Sequence, residues 1–252
     1  MDLDYSILTK KLSKIKKYLN KNDLYHYKSI DNLDVEYTYH SNAIEGNTLS
    51  LQETSFVLQG LSIGSKSMRE LYEVKNHSKA FRYIFDNKDN KKIIDNVDIL
   101  KVHSMILNNI DDYNAGVYRQ IDVGIVGTNI VFTSPQEVLS KMQIFNDWLV
   151  SEQTQGIMHC VKFASKAHFD LVNIHPFVDG NGRTCRLLMN MILLQNNYPP
   201  LIIKVEDKIE YIKALNSSRD SKSNDFEKFI YNKMNNTLET YIKQSLQFLK
   251  KI

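Results

Sequence analysis

One run of the chain gathers a base, a carboxylate, glycines and cations: Ile174-His175-Pro176-Phe177-Val178-Asp179-Gly180-Asn181-Gly182-Arg183-Thr184-Cys185-Arg186. His175 is the only group in it that takes a proton near neutral pH. Gly180-Asn181-Gly182 leads into an apolar-periodic stretch, and a glycine-rich loop opening a helix is an anion site. Its free N–H groups face outward and the helix dipole favours negative charge. Two glycines let the backbone approach a phosphate without a β-carbon in the way. Arg183 and Arg186 stand three apart and share one side of the first turns. Two cations at the positive end of a helix oppose its dipole, so they point to a polyanion between them. Asp179 beside phosphates calls for a divalent cation, and Mg²⁺ suits a shell of phosphate and carboxylate. Taken singly, each residue has an ordinary structural explanation: a histidine before proline, an Asp-Gly turn, solvated arginines. Together they describe a phosphoryl-type site. It is not a P-loop, because G-x-x-x-x-G-K-[ST] is absent.

Helices must position this run. A helix over 157–174, with Val161, Ala164, His168, Leu171 and Val172 at helical spacing, delivers His175. Pro176 stops it, since the residue before proline disfavours the α region. A second helix over about 182–196 carries the arginines and continues apolar as LLMNMILL. Upstream, Leu3, Ile7, Leu8, Leu12, Ile15 and Leu19 make one face of an amphipathic helix over 3–20. Its lysines (10, 11, 14, 16 and 17) read as a solvated face. A helix over about 34–45 ends at Gly46, a good residue just past a helix end. Ser50 and Glu53 form a capping box for the next. Helices follow at 67–88 and 97–110. Ser134-Pro135-Glu137 starts one reaching about Ser151. Helices at 207–218 and 224–250 close the chain. One stretch differs: VYRQIDVGIVGTNIVFT, residues 117–133, is rich in β-branched residues around Gly127. It reads as a β-hairpin. A lone two-stranded sheet is barely stable, so this one is expected to lie over the site as a flap.

Composition narrows the classes. The chain has 252 residues, with 42% hydrophobic and 24% charged, an ordinary globular balance that excludes disorder as the main state. A net charge of +3 is too small to imply nucleic-acid binding. Cys160 and Cys185 make neither a disulfide framework nor a four-thiolate zinc site and read as buried thiols. The N-terminal stretch lacks a signal-peptide core and no apolar run reaches a membrane span. The expectation is a cytoplasmic protein with no membrane or nucleic-acid partner. Richness in Lys, Asn and Ile suggests an AT-rich bacterial source.

HPFVDGNGRTCR resembles the Fic family signature, HPF-x-[DE]-G-N-G-R-x-x-R, with every specified position filled. The preceding AHFDLVNI, the stretch GIVGTNIVF, the helix ending near Trp148, the NYPPL turn and the helix with Tyr211 continue the resemblance over roughly 95–232. It implies an all-α fold with a β-hairpin flap over the active site: an N-terminal helical region over 1–94, a catalytic core over 95–232 and a helix end over 233–252. It also implies transfer of AMP from ATP to a Tyr, Thr or Ser hydroxyl of a protein, with release of pyrophosphate. On that resemblance His175 is the general base. Asp179 holds Mg²⁺, with Mn²⁺ as the alternative, between the α- and β-phosphates. Gly180, Asn181, Gly182 and Arg183 cradle phosphates, and Arg186 grips the γ-phosphate. Val126, Gly127, Thr128, Asn129 and Tyr211 are assigned to the nucleotide. Arg219 stands where several relatives carry a smaller polar residue. A target protein docks on the 117–133 flap, self-modification is expected, and a homo-oligomer is left open.

Ser41-Asn42-Ala43-Ile44-Glu45-Gly46-Asn47 is similar to that family's inhibitory pattern, [ST]-x-x-x-E-[GN], within the helix at about 34–46. A glutamate in the last turn of a helix is electrostatically disfavoured, so a cation elsewhere should face it. The expected partner is Arg186, held bidentately in the space a γ-phosphate needs. Three other functions remain open. One is removal of AMP, with Glu45 orienting water. Another is a non-catalytic regulatory binding module, against which the intact His175 and Asp179 speak. The last is a metal hydrolase on His159, His168 and His175, which lacks a matching carboxylate set.

Overall fold

Residues 3–18, 30–124, 130–221 and 223–249 are described by a computed structural model. Among them are ten α-helices and no strand: α1 Ser6–Tyr18, α2 Ile30–Ile44, α3 Leu51–Leu58, α4 Met68–Asp86, α5 Asn96–Leu107, α6 Pro135–Gln155, α7 Cys160–Ile174, α8 Asn181–Gln195, α9 Lys208–Ser221 and α10 Asp225–Leu249.

The fold is organised around α8. Every residue from Arg183 to Leu194 is buried, which is why this helix is apolar on all sides rather than along a stripe. Helices α2, α4, α5 and α7 pack on it. Leu187, Leu193 and Met189 are completely buried, and truncating such a leucine to alanine costs roughly 2–5 kcal/mol. Asn190 sits in this apolar length because both ends of its amide are used. Its Nδ2 donates to Leu201 O at 3.0 Å and its Oδ1 accepts from Leu201 N at 2.7 Å. That pair pins the chain after α8 against the helix.

At the other side α10 packs on α1, α7 and α9. Leu8, Leu12 and Ile15 of α1 are buried, and Tyr5 OH donates to Glu227 at 2.8 Å. Lys11 reaches Glu239 at 2.6 Å. Ile7 departs from the expected apolar face: it is exposed, because α10 covers only the stripe through Leu8, Leu12 and Ile15. One hydrophobic core joins residues of α1, α2, the helices around α8, and α10.

Helix ends follow local chemistry. The Ser50–Glu53 capping box is present, with further boxes at Ser67–Glu70 and Asp95–Asp98. Gly46 has φ +103° just past α2, a conformation glycine adopts without strain. Ser134 does sit before Pro135, yet its hydroxyl bonds the Glu137 carboxylate at 2.5 Å rather than a backbone N–H.

The hairpin expected at 117–133 is not shown. Its described parts, 117–124 and 130–133, contain no strand; 125–129 lie outside the described residues. A side chain holds these arms, as described below.

Candidate active site

The turn between α7 and α8 is built from its own residues. Helix α7 ends at Ile174, and His175 caps it with φ 52° and ψ 59° while its N–H still bonds Leu171 O at 3.0 Å. This left-handed conformation is uncommon for a residue with a side chain, although histidine tolerates it better than most. Two residues on, Phe177 is clasped by Asn181. Asn181 Oδ1 accepts from Phe177 N at 3.0 Å and its Nδ2 donates to Phe177 O at 2.8 Å. The Asn181 side chain is therefore fixed by the loop, and its backbone N–H opens the uncapped start of α8. Gly180 caps α8 with φ +76° and no side chain satisfies the first turn of that helix. The N–H groups of a helix start with no cap are free donors.

His175 stacks on Phe132, with ring centroids 3.8 Å apart. Its Nδ1 lies 3.3 Å from Val172 O, which can only accept, so Nδ1 carries the proton and Nε2 keeps a lone pair. Burial pushes the imidazole pKa down to about 4, assisted by Arg119 and Arg219 and opposed by the Val172 bond and Glu45. At neutral pH His175 is a proton acceptor.

A cavity of about 400 Å³ opens against this turn. His175, Asp179, Gly180, Gly182, Arg186 and Glu45 line it, with Tyr211 and Arg219 on the α9 side. Arg186, from the second turn of α8, is 1% exposed. Its Nε donates to Ser41 Oγ at 3.0 Å and its Nη2 to Ser41 O at 2.8 Å. Nη2 also lies 2.8 Å from Glu45 Oε1. The contact is through one nitrogen rather than two: Nη1 is buried without a hydrogen-bond partner. Burial works against the charge, and Glu45 with nearby tyrosines more than offsets it, holding Arg186 above its ordinary range. Glu45 also lies on the helix start itself, since a β-carbon built on Gly182 would overlap its Oε1.

A family model described as Fic/DOC family matches residues 93–193. A solved structure of Fic-1 from C. elegans is 32% identical, with a TM-score of 0.77 over 94% of this chain and 72% of that one. A Fic-domain-containing signalling protein from Bacteroides thetaiotaomicron gives a TM-score of 0.86 at 28% identity, over 96% of this chain and 98% of that one. The protein adenylyltransferase Fic of Nematostella vectensis is 36% identical over 211 residues, which is 82% of this chain. The chain spans 48% of that relative's length.

The chain belongs to the Fic/DOC family. Within this Fic chain the remaining site residues divide clearly. Asp179 has Oδ1 on its own following N–H, that of Gly180, at 2.5 Å and on Arg183 Nη2 at 3.1 Å. Burial raises its pKa and these donors, with Arg69, outweigh that, so the carboxyl is held below its usual range and is ionised. Arg183 does not line the cavity; its guanidinium faces Asp179 and Glu73, the latter at 3.4 Å. Tyr211 lines the cavity, but its OH is engaged with His168 Nε2 at 2.9 Å. Val126, Gly127, Thr128 and Asn129 lie outside the described residues.

The donor set fits a phosphate-bridged divalent cation rather than a self-contained metal centre. Among the described residues no cluster of three His, Cys, Asp or Glu side chains is placed to hold a metal. His159 caps α7 and His168 bonds Tyr211, so neither joins His175. Asp179 is one hard oxygen donor at the cavity wall, the situation in which Mg²⁺ takes its other ligands from phosphates and water.

Sequence reading missed three residues. Arg119 is 3% exposed. Its Nε donates to His175 O at 2.7 Å, its Nη1 to Ile121 O at 2.8 Å and its Nη2 to Thr133 O. One guanidinium thus ties both arms of the 117–133 segment to the cap of α7. His103 of α5 accepts from Gly116 N at Nδ1, 2.9 Å, so its Nε2–H donates to Asp179 O at 2.9 Å. It also stacks on Phe177. Arg69, from the first turn of α4, reaches Asp179 Oδ2 at 2.5 Å. The only early signal for any of them is a cation out of place in a first helical turn, at Arg69.

Proposed function

We propose that this chain is a protein adenylyltransferase whose resting state is held by Glu45. The observation that carries it is the Glu45 carboxylate lying 2.8 Å from Arg186 and against Gly182. An anion already occupies the place where a buried cation and a free helix start converge. Relatives bearing the name protein adenylyltransferase Fic supply the reaction class.

In this reading ATP lies along the start of α8. Backbone N–H groups from Asn181 onward bind phosphate oxygens, and Arg186 takes the terminal phosphate in place of Glu45. Val172, Ile212 and Leu215 give the cavity its apolar side for the base. A serine, threonine or tyrosine hydroxyl of the target enters beside Phe132. Its oxygen forms a bond to the α-phosphorus while the bond to the bridging oxygen breaks, and pyrophosphate leaves. His175 Nε2 accepts the hydroxyl proton. Mg²⁺, or Mn²⁺ in its place, held by Asp179 supplies charge neutralisation on the phosphates. The chain's own contribution is positioning and fixed dipoles, which is where phosphoryl chemistry draws most of its acceleration.

Arg186 needs an anion whatever the state. A buried cation stripped of its partner costs about 3–5 kcal/mol, so Glu45 and a phosphate compete for one place. The test is incubation with α-labelled ATP and Mg²⁺, comparing wild type with Glu45→Gly. Labelling of protein, including the chain itself, should rise in the variant. Equal labelling at saturating nucleotide would remove the inhibitory role. A second reading, removal of AMP with Glu45 orienting water, is favoured by Glu45 and His175 lining the same cavity. It predicts that Glu45→Gly loses release of AMP from a modified protein.

A further inference from the structure

The two oxygens of Asp179 are held in different ways. Oδ1 is fixed from inside the turn, by the Gly180 N–H and by Arg183, whose side chain is 2% exposed. Oδ2 is held by Arg69, whose side chain is 58% exposed and comes from another helix. Arg69 is itself only loosely kept, with Nε 3.4 Å from Glu73 Oε1. An incoming cation therefore finds Oδ2 as the oxygen it can take, and Arg69 as its occupant.

We propose that Arg69 is a resident counter-ion on Asp179 that a divalent cation must displace. The inference rests on the reading of Asp179 as the metal-holding carboxylate. Its second support is the placement of charge. Arg69 stands in the first turn of α4, where a cation opposes the helix dipole. Glu45 stands at the C-terminal end of α2, where an anion does the same. Both charges sit at helix ends that disfavour them, and each reaches across to the α7–α8 turn. Together they give the site the charge pattern of a metal triphosphate: an anion on Arg186 and a cation on Asp179. Glu45 and Arg69 thus act on different halves of one ligand.

Because Arg69 is more than half exposed, its ion pair is screened and weak, so the expected effect is modest. The full chain carrying Glu45→Gly is titrated with Mn²⁺ in the presence of α,β-methylene-ATP, and bound Mn²⁺ is read by electron paramagnetic resonance. Adding Arg69→Ala should tighten Mn²⁺ binding by about threefold to tenfold, while Arg69→Lys should stay near the parent. The gain should shrink with added salt and vanish in an Asp179→Asn background. Arg69→Gln, which keeps length and removes charge, should match Arg69→Ala and controls for lost packing. Unchanged or weaker Mn²⁺ binding in both neutral variants overturns the proposal. If Asp179→Asn alone leaves Mn²⁺ affinity untouched, the metal assignment of Asp179 fails, and the proposal with it.

Discussion

The α7–α8 turn and the 117–133 segment border the same cavity but are held in opposite ways. The turn closes on itself: Asn181 clasps Phe177, the Gly180 N–H holds Asp179, and His103 fastens the Asp179 carbonyl from below. The described arms of 117–133 share no ladder and are joined through one guanidinium, that of Arg119. Groups that must be placed to a fraction of an ångström are on the self-bonded turn. The segment that reaches His175 through Phe132 is instead tethered at its ends. The turn is thus fixed mainly by its own residues, with His103 added from α5, and the arms by the backbone and side chain of Arg119.

The sharpest way to break this contrast is to remove the base from the fixed side. His175→Ala should lower AMP transfer by about 10²–10⁴-fold, the usual worth of a positioned general base, while nucleotide binding measured by calorimetry persists. Transfer near the wild-type rate would dismiss the role of His175.

Facing the same turn from the end of α2, Glu45→Gly should raise self-labelling by roughly tenfold or more, since the high local concentration of a tethered anion is what nucleotide must overcome. Adding Arg186→Ala should bring the double variant down to the level of Arg186→Ala alone.

The tethered side is probed by Arg119→Lys. An ammonium cannot reproduce a fork that serves three carbonyls, so two part-buried acceptors lose a donor, at less than the ~1–3 kcal/mol each that full burial would cost. Transfer to a protein target should fall more than nucleotide affinity does. Equal loss of both would mean that Arg119 supports the fold and not the relation between the segment and His175.

The smallest effect is on stability against pH. Burial pushes His103 and His175 down to about 4 and His168 to about 3, from an ordinary 6.5. Folded pKa values lie below unfolded ones, so the unfolded chain binds more protons as pH falls below about 6.5. Urea midpoints should therefore drop between pH 7 and pH 5, with at most ~1.4 kcal/mol per histidine per pH unit. A flat profile over that range would show that these rings are not held neutral. Transfer should likewise keep its base in working form well below pH 6.5.

What was legible beforehand follows from distance along the chain. His175, Asp179, Gly180 and Gly182 lie within one turn, so their residue types announce the loop, and Gly46 and the Ser50–Glu53 box announce helix ends. Arg186 facing Glu45 was legible only because a second motif lay upstream; its bonds to Ser41 were not. Arg119, His103 and Arg69 act on residues 56 to 110 positions away; only Arg69 carries a local mark, a cation in a first helical turn, and nothing local names its partner. The β-branched residues of 117–133 carry a strand-like pattern, and in the described arms the connection between them is made by one side chain, that of Arg119.

The clasp between Asn181 and Phe177 has a thermodynamic consequence. A loop that must be ordered by its ligand loses affinity to the entropy of that ordering, about 1–2 kcal/mol for each residue fixed. Here both amide groups of one side chain already bind the backbone before any ligand arrives. That entropy is lost on folding, so under the proposed function a nucleotide would find the 177–181 loop already ordered, and its affinity would turn on which charges it displaces rather than on what it must organise there.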